Sequence, residues 1–199
     1  MRVTILLSVL FISSLCHAQL SGDVTVTPFI GISNSVFASS ADVDYKSQQG
    51  ISAGITGNYF LSESWSLRTG VMYTSMGGEE KATGREERLG YIAVPVNISL
   101  HVTKYKDLSF NFGPMFLFNT ASEEMRSDNN EVEQDFITND YDFGVNLGVG
   151  YRIPLDDRFD LYFDAQGYAG FIDVYDNVNE LFEVRNFAVA VHVGTRIKL

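Results

Sequence analysis

The sequence predicts an all-β fold, an eight-stranded antiparallel up-and-down transmembrane β-barrel. Three observations predict it. Eight segments alternate apolar residues with small or polar ones at a period of two, as β-strands do. Their connections alternate between short turns and long polar loops, as in outer-membrane barrels, whose short turns face the periplasm. Beyond residue 18, no segment approaches the ~20 consecutive apolar residues of a transmembrane helix.

The predicted strands follow one another at regular spacing. They span 24–32, 51–61, 65–74, 90–102, 108–119, 140–153, 158–172 and 185–199. Polar connections at 33–49, 77–88, 120–139 and 173–184 alternate with turns at 62–64, 104–107 and 154–157. These strands suit a tilted membrane crossing of about 9–11 residues with some overhang.

The last strand, 185–199, has the clearest alternation. One face is apolar apart from Thr195, and the other combines small residues with His192, Arg196 and Lys198. In a soluble domain the apolar face would line a core. In an outer-membrane barrel it would contact lipid, and the other face would line the lumen.

The first 18 residues predict a secretory signal peptide. Arg2 gives a positive start, residues 3–12 are apolar, and small residues precede Gln19. A lipoprotein signal at Cys16 is the alternative, although Leu15 is large for that role. The predicted mature domain, 19–199, then has no cysteine, which excludes disulfides, a thiolate nucleophile and cysteine-ligated metals.

Composition and charge limit the function classes. The chain is 45% hydrophobic, with 15 Phe, 10 Tyr and 17 Gly, as alternating strands require. The net charge of −11 argues against nucleic acid, whose phosphates would be repelled. It also disfavours docking on an anionic membrane surface, but not insertion through a membrane.

A soluble lipocalin-like barrel, also eight-stranded, is the alternative fold. Nearly unbroken apolar faces on every strand favour the membrane barrel, because a soluble barrel needs a charged exterior. Aromatic residues near the strand ends would form the girdles of a membrane barrel. They are Tyr59, Trp65, Tyr73, Tyr141, Tyr151, Phe159 and Phe187.

Four stretches resemble the PorT-like outer-membrane β-barrel family common in Bacteroidetes. They are 54–78, 91–102 (YIAVPVNISLHV), 108–118 (LSFNFGPMFLF) and 143–170. The resemblance implies a location in the outer membrane of a Gram-negative bacterium. It also implies partners: outer-membrane lipid and lipopolysaccharide, the barrel-assembly machinery during insertion, and secretion-system or surface proteins.

Charged residues on the predicted lumen face are the main candidate site. They are Arg68, Asp142, Arg152, Asp160, Asp164, His192, Arg196 and Lys198. We expect a structural salt-bridge network that plugs a narrow lumen, with Asp160 and Asp164 pairing with Arg196 and Lys198 on the neighbouring strand. A proton or ion path through this network is the alternative.

No catalytic, cofactor or metal site is predicted. Neither His101 nor His192 has a serine two residues away on its own strand face, and no hydrolase or phosphate-binding motif occurs. Acidic loop residues could make weak cation or partner contacts, although their spacing is not that of an EF-hand. They are Glu123, Glu124, Asp128, Glu131 and Asp135.

The predicted function is a non-enzymatic outer-membrane protein with a structural or accessory role. Its loops or periplasmic face would bind a partner, and the PorT-like resemblance suggests protein secretion. A small-pore or transport barrel is the alternative. A lumen filled by Tyr, Gln, Asp and Arg side chains favours the accessory role.

Overall fold

The structure, a computed structural model, describes residues 22–40, 43–82, 84–102, 107–125, 138–175 and 183–199, and only the backbone of 122–125. The strands are β1 (Val24–Ser39), β2 (Tyr45–Phe60), β3 (Trp65–Glu80), β4 (Glu86–His101), β5 (Leu108–Met125), β6 (Tyr141–Pro154), β7 (Phe159–Gly170) and β8 (Val184–Lys198). The predicted signal peptide, 1–18, lies outside the described residues.

The eight strands form one closed antiparallel barrel. Each strand pairs with the next, and β8 pairs with β1. The predicted fold class is therefore confirmed. No helix within the described ranges has the length and apolarity needed to cross a membrane.

The pairing register fixes the dimensions of the barrel. When paired residues are followed from strand to strand around the barrel, a path that leaves β1 at Asn34 comes back to β1 at Val24, ten residues away. With about 3.3 Å per residue and about 4.8 Å between strands, this stagger tilts the strands by about 40°. The backbone radius is then about 8 Å, so inward side chains can fill the lumen.

The outer surface of the barrel is apolar. Ile30, Leu147 and Val189 each expose more than 60% of their surface. Each of the seven aromatic residues predicted to form girdles is also exposed on this surface. Most of the buried polar side chains point inward, and the outer surface is apolar. A soluble barrel needs the reverse arrangement, so the lipocalin-like alternative is wrong.

Most strands extend further at the extracellular end than predicted. The predicted loops 33–49 and 77–88 are largely strand, because β1 to β4 continue above the apolar belt. Ion pairs join this part of β2 to the end of β3, including Lys46 to Glu79 at 2.6 Å. Apolar residues such as Phe37 and Tyr45 are too few there to build a period-two pattern, so hydrophobic alternation gave no signal for these extensions.

Two periplasmic turns share one construction, which sets the register of the hairpins that carry the lumen charges. Ser62 Oγ accepts a hydrogen bond from the N–H of Trp65 at 3.1 Å. Asp156 Oδ1 accepts from the N–H groups of Arg158 and Phe159, at 2.7 and 2.8 Å. These bonds favour the charged carboxylate and lower the pKa of Asp156 below its ordinary value.

Candidate functional site

Inward residues of neighbouring strands stand in rows across the barrel. Ser52, Gly31, His192 and Asp164 are successive partners on β2, β1, β8 and β7. A methyl group on Gly31 would overlap the His192 ring, so the glycine lets serine and histidine meet across β1. Ser52 Oγ lies 2.8 Å from His192 Nε2. Strand pairing creates this contact, which is why a search along single strands missed it.

A buried ion pair crosses the middle of the lumen. Arg68 Nη2 on β3 lies 2.7 Å from Asp164 Oδ2 on β7, four strands away around the barrel. Arg68 also donates to the Tyr162 hydroxyl at 3.2 Å. Asn111 and Gln166 donate to the Asp164 carboxylate. A buried charge is tolerated only when it is paired and hydrogen-bonded, and both charges here meet that condition.

A looser charge cluster lies below this pair, at the periplasmic end. Asp160 is fully buried, with Lys198 Nζ 3.3 Å and Arg152 Nη1 3.7 Å from its two oxygens. Neither contact is an aligned hydrogen bond within the described chain. Arg152 also reaches Asp107 at 3.3 Å. The cluster is therefore held by charge more than by directed bonds.

Arg196 has no carboxylate partner in the part of the chain that the structure describes. Its guanidinium lies 4.3 Å above the Tyr162 ring, and its Nε has no hydrogen-bond partner there. The predicted pairing across β7 and β8 therefore forms only between Asp160 and Lys198. Asp164 pairs instead with Arg68 across the lumen, because inward side chains of this length reach the far wall.

Asp142 stands apart from the charge network, contrary to the prediction. It lies near the extracellular end, where Asn186 Nδ2 donates to it at 3.1 Å. The N–H groups of Phe143 and Ile172 also donate to its carboxylate. It acts as a hydrogen-bond hub between β6, β8 and the start of the last loop, because β6 runs the full height of the barrel.

Apolar side chains fill the extracellular half of the lumen. The main buried members are Phe37, Met72, Met76, Leu89, Tyr91, Met115 and Leu117. The sequence interpretation described the lumen as polar throughout and missed this cluster. The available signal was the placement of Met72 and Met76 on one face of β3, and of Met115 and Leu117 on one face of β5, among small and polar residues.

The start of the last loop covers the extracellular mouth. Val174 is 3% exposed and joins the apolar cluster. Its carbonyl accepts from the N–H of Asn139 at 2.9 Å. The Tyr175 hydroxyl donates to Glu87 on β4. Burial, followed by the charge of Glu87, raises the pKa of Tyr175 above its ordinary value, so the phenol keeps the proton it donates.

Ser52, His192 and Asp164 have the residue types of a hydrolytic triad but not its geometry. His192 Nδ1 is 3.8 Å from Asp164 Oδ2, too far for a hydrogen bond, and that oxygen is bound to Arg68. The adjoining cavity measures about 20 Å³, room for about one water. No substrate has space beside the serine.

The predicted acidic loop site cannot be located. The side chains of Glu123 and Glu124, and the whole of Asp128, Glu131 and Asp135, lie outside the described residues. Within the described ranges, no three His, Cys, Asp or Glu side chains are grouped as metal ligands would be.

The chain matches a protein-family model over residues 17–176, and the model is described as the outer membrane protein beta-barrel domain. The chain belongs to this family. Membership, together with the apolar belt, places it in the outer membrane. The match stops before β8, yet β8 closes the barrel by pairing with β1.

Solved structures agree in fold. OprG from Pseudomonas aeruginosa superposes with a TM-score of 0.56 at 8% identity, covering 90% of this chain and 97% of that one. The outer membrane protein AlkL has a TM-score of 0.50 at 11% identity, covering 89% and 90%. At such low identity, only the architecture is shared. Comparison with curated proteins gives no match.

Proposed function

We propose that this member of the outer membrane β-barrel family is a sealed, non-enzymatic barrel with a structural or accessory role. The Arg68–Asp164 pair supports this most directly, because it joins opposite walls of a lumen of about 8 Å backbone radius. The apolar cluster and Val174 block the lumen above it. The protein would then bind its partner through the loops or the periplasmic face.

The geometry around Ser52 supports the absence of catalysis. A nucleophilic serine needs a base, an oriented carboxylate and room for the substrate carbonyl. Ser52 has a histidine partner at 2.8 Å, but its cavity of about 20 Å³ admits no acyl substrate.

Planar-bilayer recording tests the seal. We expect the wild-type protein to give no steady conductance steps. The double variant Arg68→Ser/Asp164→Ser removes both charges without leaving either one buried alone. Because the apolar cluster still blocks the lumen above, we expect measurable leakage only when Met72→Ser and Met115→Ser are added. Steady conductance steps from wild type would instead favour the small-pore alternative.

We also propose that the accessory role concerns protein secretion, as the PorT-like resemblance implies, in contact with lipopolysaccharide outside. Affinity capture from native outer membranes should recover a secretion-system protein. Two matched variants identify the face it binds: Glu131→Gln/Asp135→Asn in the long loop, and Glu63→Gln/Asp157→Asn in the periplasmic turns. Loss of the partner from one variant alone supports the proposal, whereas recovery of only the assembly machinery contradicts it.

A further inference from the structure

A cavity of about 340 Å³ opens at the periplasmic mouth, beside the final residues of β8. Its charged lining residues are Asp23, Arg152, Asp160, Arg196 and Lys198. Three cations therefore face the carboxylates of Asp23 and Asp160 and the main-chain carboxylate of Leu199, which also lines the cavity. The charges balance in number, so what distinguishes the cavity is the cation that lacks an aligned partner.

Arg196 is the member of this group without a matching anion. It is 4% exposed, so little water reaches it, and no described carboxylate forms an ion pair with it. It lies over the face of the Tyr162 ring at 4.3 Å and senses the charge of Asp160 without an ion pair or hydrogen bond to it. That contact leaves the edge of the guanidinium, where its N–H donors lie, free to bind an anion. A buried, unpaired charge is costly unless something neutralises it.

The neighbouring carboxylate does not fill this role. Asp160 lies opposite Arg196 in the strand register but is fully buried between Arg152 and Lys198. The side chains of Arg152 and Lys198 remain 24% and 37% exposed, so both charges also reach the cavity. Asp160 is thus shared by Arg152 and Lys198, and Arg152 also pairs with Asp107, so neither carboxylate is an aligned partner for Arg196.

We propose that the periplasmic mouth binds an oxyanion, a carboxylate or phosphate group, on the guanidinium of Arg196 with Arg152 and Lys198 around it. A guanidinium matches both groups through paired N–H donors, and desolvation strengthens such charge-assisted bonds. The cavity also has room for part of the molecule that carries the group. This inference names the chemical group that the periplasmic face of the proposed accessory protein would bind. It rests on the proposed function only for its biological role. Binding and conductance are separate measurements, so either can fail alone.

Phosphate titration of the refolded barrel in chloride-free lipid nanodiscs tests the site. The signal is the Nε–Hε NMR resonance of each arginine, assigned to Arg196 by its loss in Arg196→Lys. We expect a saturable shift of this resonance in wild type. Phosphate affinity, read in every variant from the Arg152 resonance of the same cavity, should fall about tenfold or more in Arg196→Gln, the loss typical of a charge-assisted hydrogen bond.

Arg185→Gln is the matched control, because it makes the same substitution on the same strand at the extracellular end, beside Glu183. We expect it to bind phosphate as wild type does. Heat-modifiable gel migration checks that each variant folds, and Arg196→Lys, which keeps the charge, should retain part of the affinity even if Arg196→Gln fails to fold.

Acetyl-alanine and its amide-capped form identify the source of the anion. Binding of the free carboxylate but not of the amide supports a peptide terminus, and binding of phosphate alone supports a phosphate ligand. A shift that does not saturate, or equal affinity in wild type and Arg196→Gln, overturns the proposal.

Discussion

Replacing Arg68 with methionine should destabilise the barrel by about 3–5 kcal/mol, because the substitution leaves Asp164 charged and buried without its partner. Methionine keeps much of the side-chain volume, so the loss reports charge rather than a cavity. Asp164 is 2% exposed, so water cannot replace the guanidinium without opening the lumen. Urea-induced unfolding in lipid vesicles, followed by tryptophan fluorescence of Trp65, measures the change in unfolding free energy.

Two further variants separate this effect from general damage. Arg68→Met/Asp164→Asn removes both charges and should recover much of the lost stability. Lys46→Met breaks the exposed pair with Glu79 and should cost only about 0–1 kcal/mol. If Arg68→Met cost no more than Lys46→Met, the lumen around Asp164 would be hydrated, and the sealed barrel would be wrong.

Placing arginine at Leu147 should destabilise the membrane-inserted barrel by about 2–4 kcal/mol, the range for a cation near the bilayer midplane. Leu147 lies at the middle of β6, points outward and is 62% exposed. In a soluble protein, a residue this exposed would accept arginine at almost no cost. The measurement is again urea unfolding in vesicles, with insertion checked by heat-modifiable migration.

Leu155→Arg is the control for depth. Leu155 is also 62% exposed but lies in the turn between β6 and β7, outside the apolar belt. The Leu155→Arg substitution should lower the free energy of unfolding by only about 0–1 kcal/mol, because the charge stays in water near the interface. Equal costs at the two positions would mean that Leu147 does not face lipid.

Predictability differs between the fold and the site for a physical reason. Alternation in β6 and β8 is dictated by lipid on one face and crowding on the other, so the sequence reveals both strands. The upper parts of β1 to β4 stand above the lipid, where neither face must be apolar. Pairs such as Lys46 with Glu79 stabilise them, and such pairs depend on a register that no single strand encodes.

The candidate site shows the same division. Alternation places Arg68, Asp164 and Arg196 in the lumen, and this needs only the sequence. The partner of each charge depends on strand order and shear, which bring β3 opposite β7. Asp164 therefore binds Arg68 instead of its neighbours on β8, and Arg196 is left over the Tyr162 ring.

By itself, the sequence determined an eight-stranded barrel with an apolar outer surface and charged residues inside, because each residue's face follows from the local period of two. The tertiary structure decided which charges meet, where the lumen turns apolar, and that Val174 covers its mouth. These features depend on closing β8 against β1 with a stagger of ten residues. Closure brings residues far apart in the chain to within side-chain length, a relation that local periodicity does not contain.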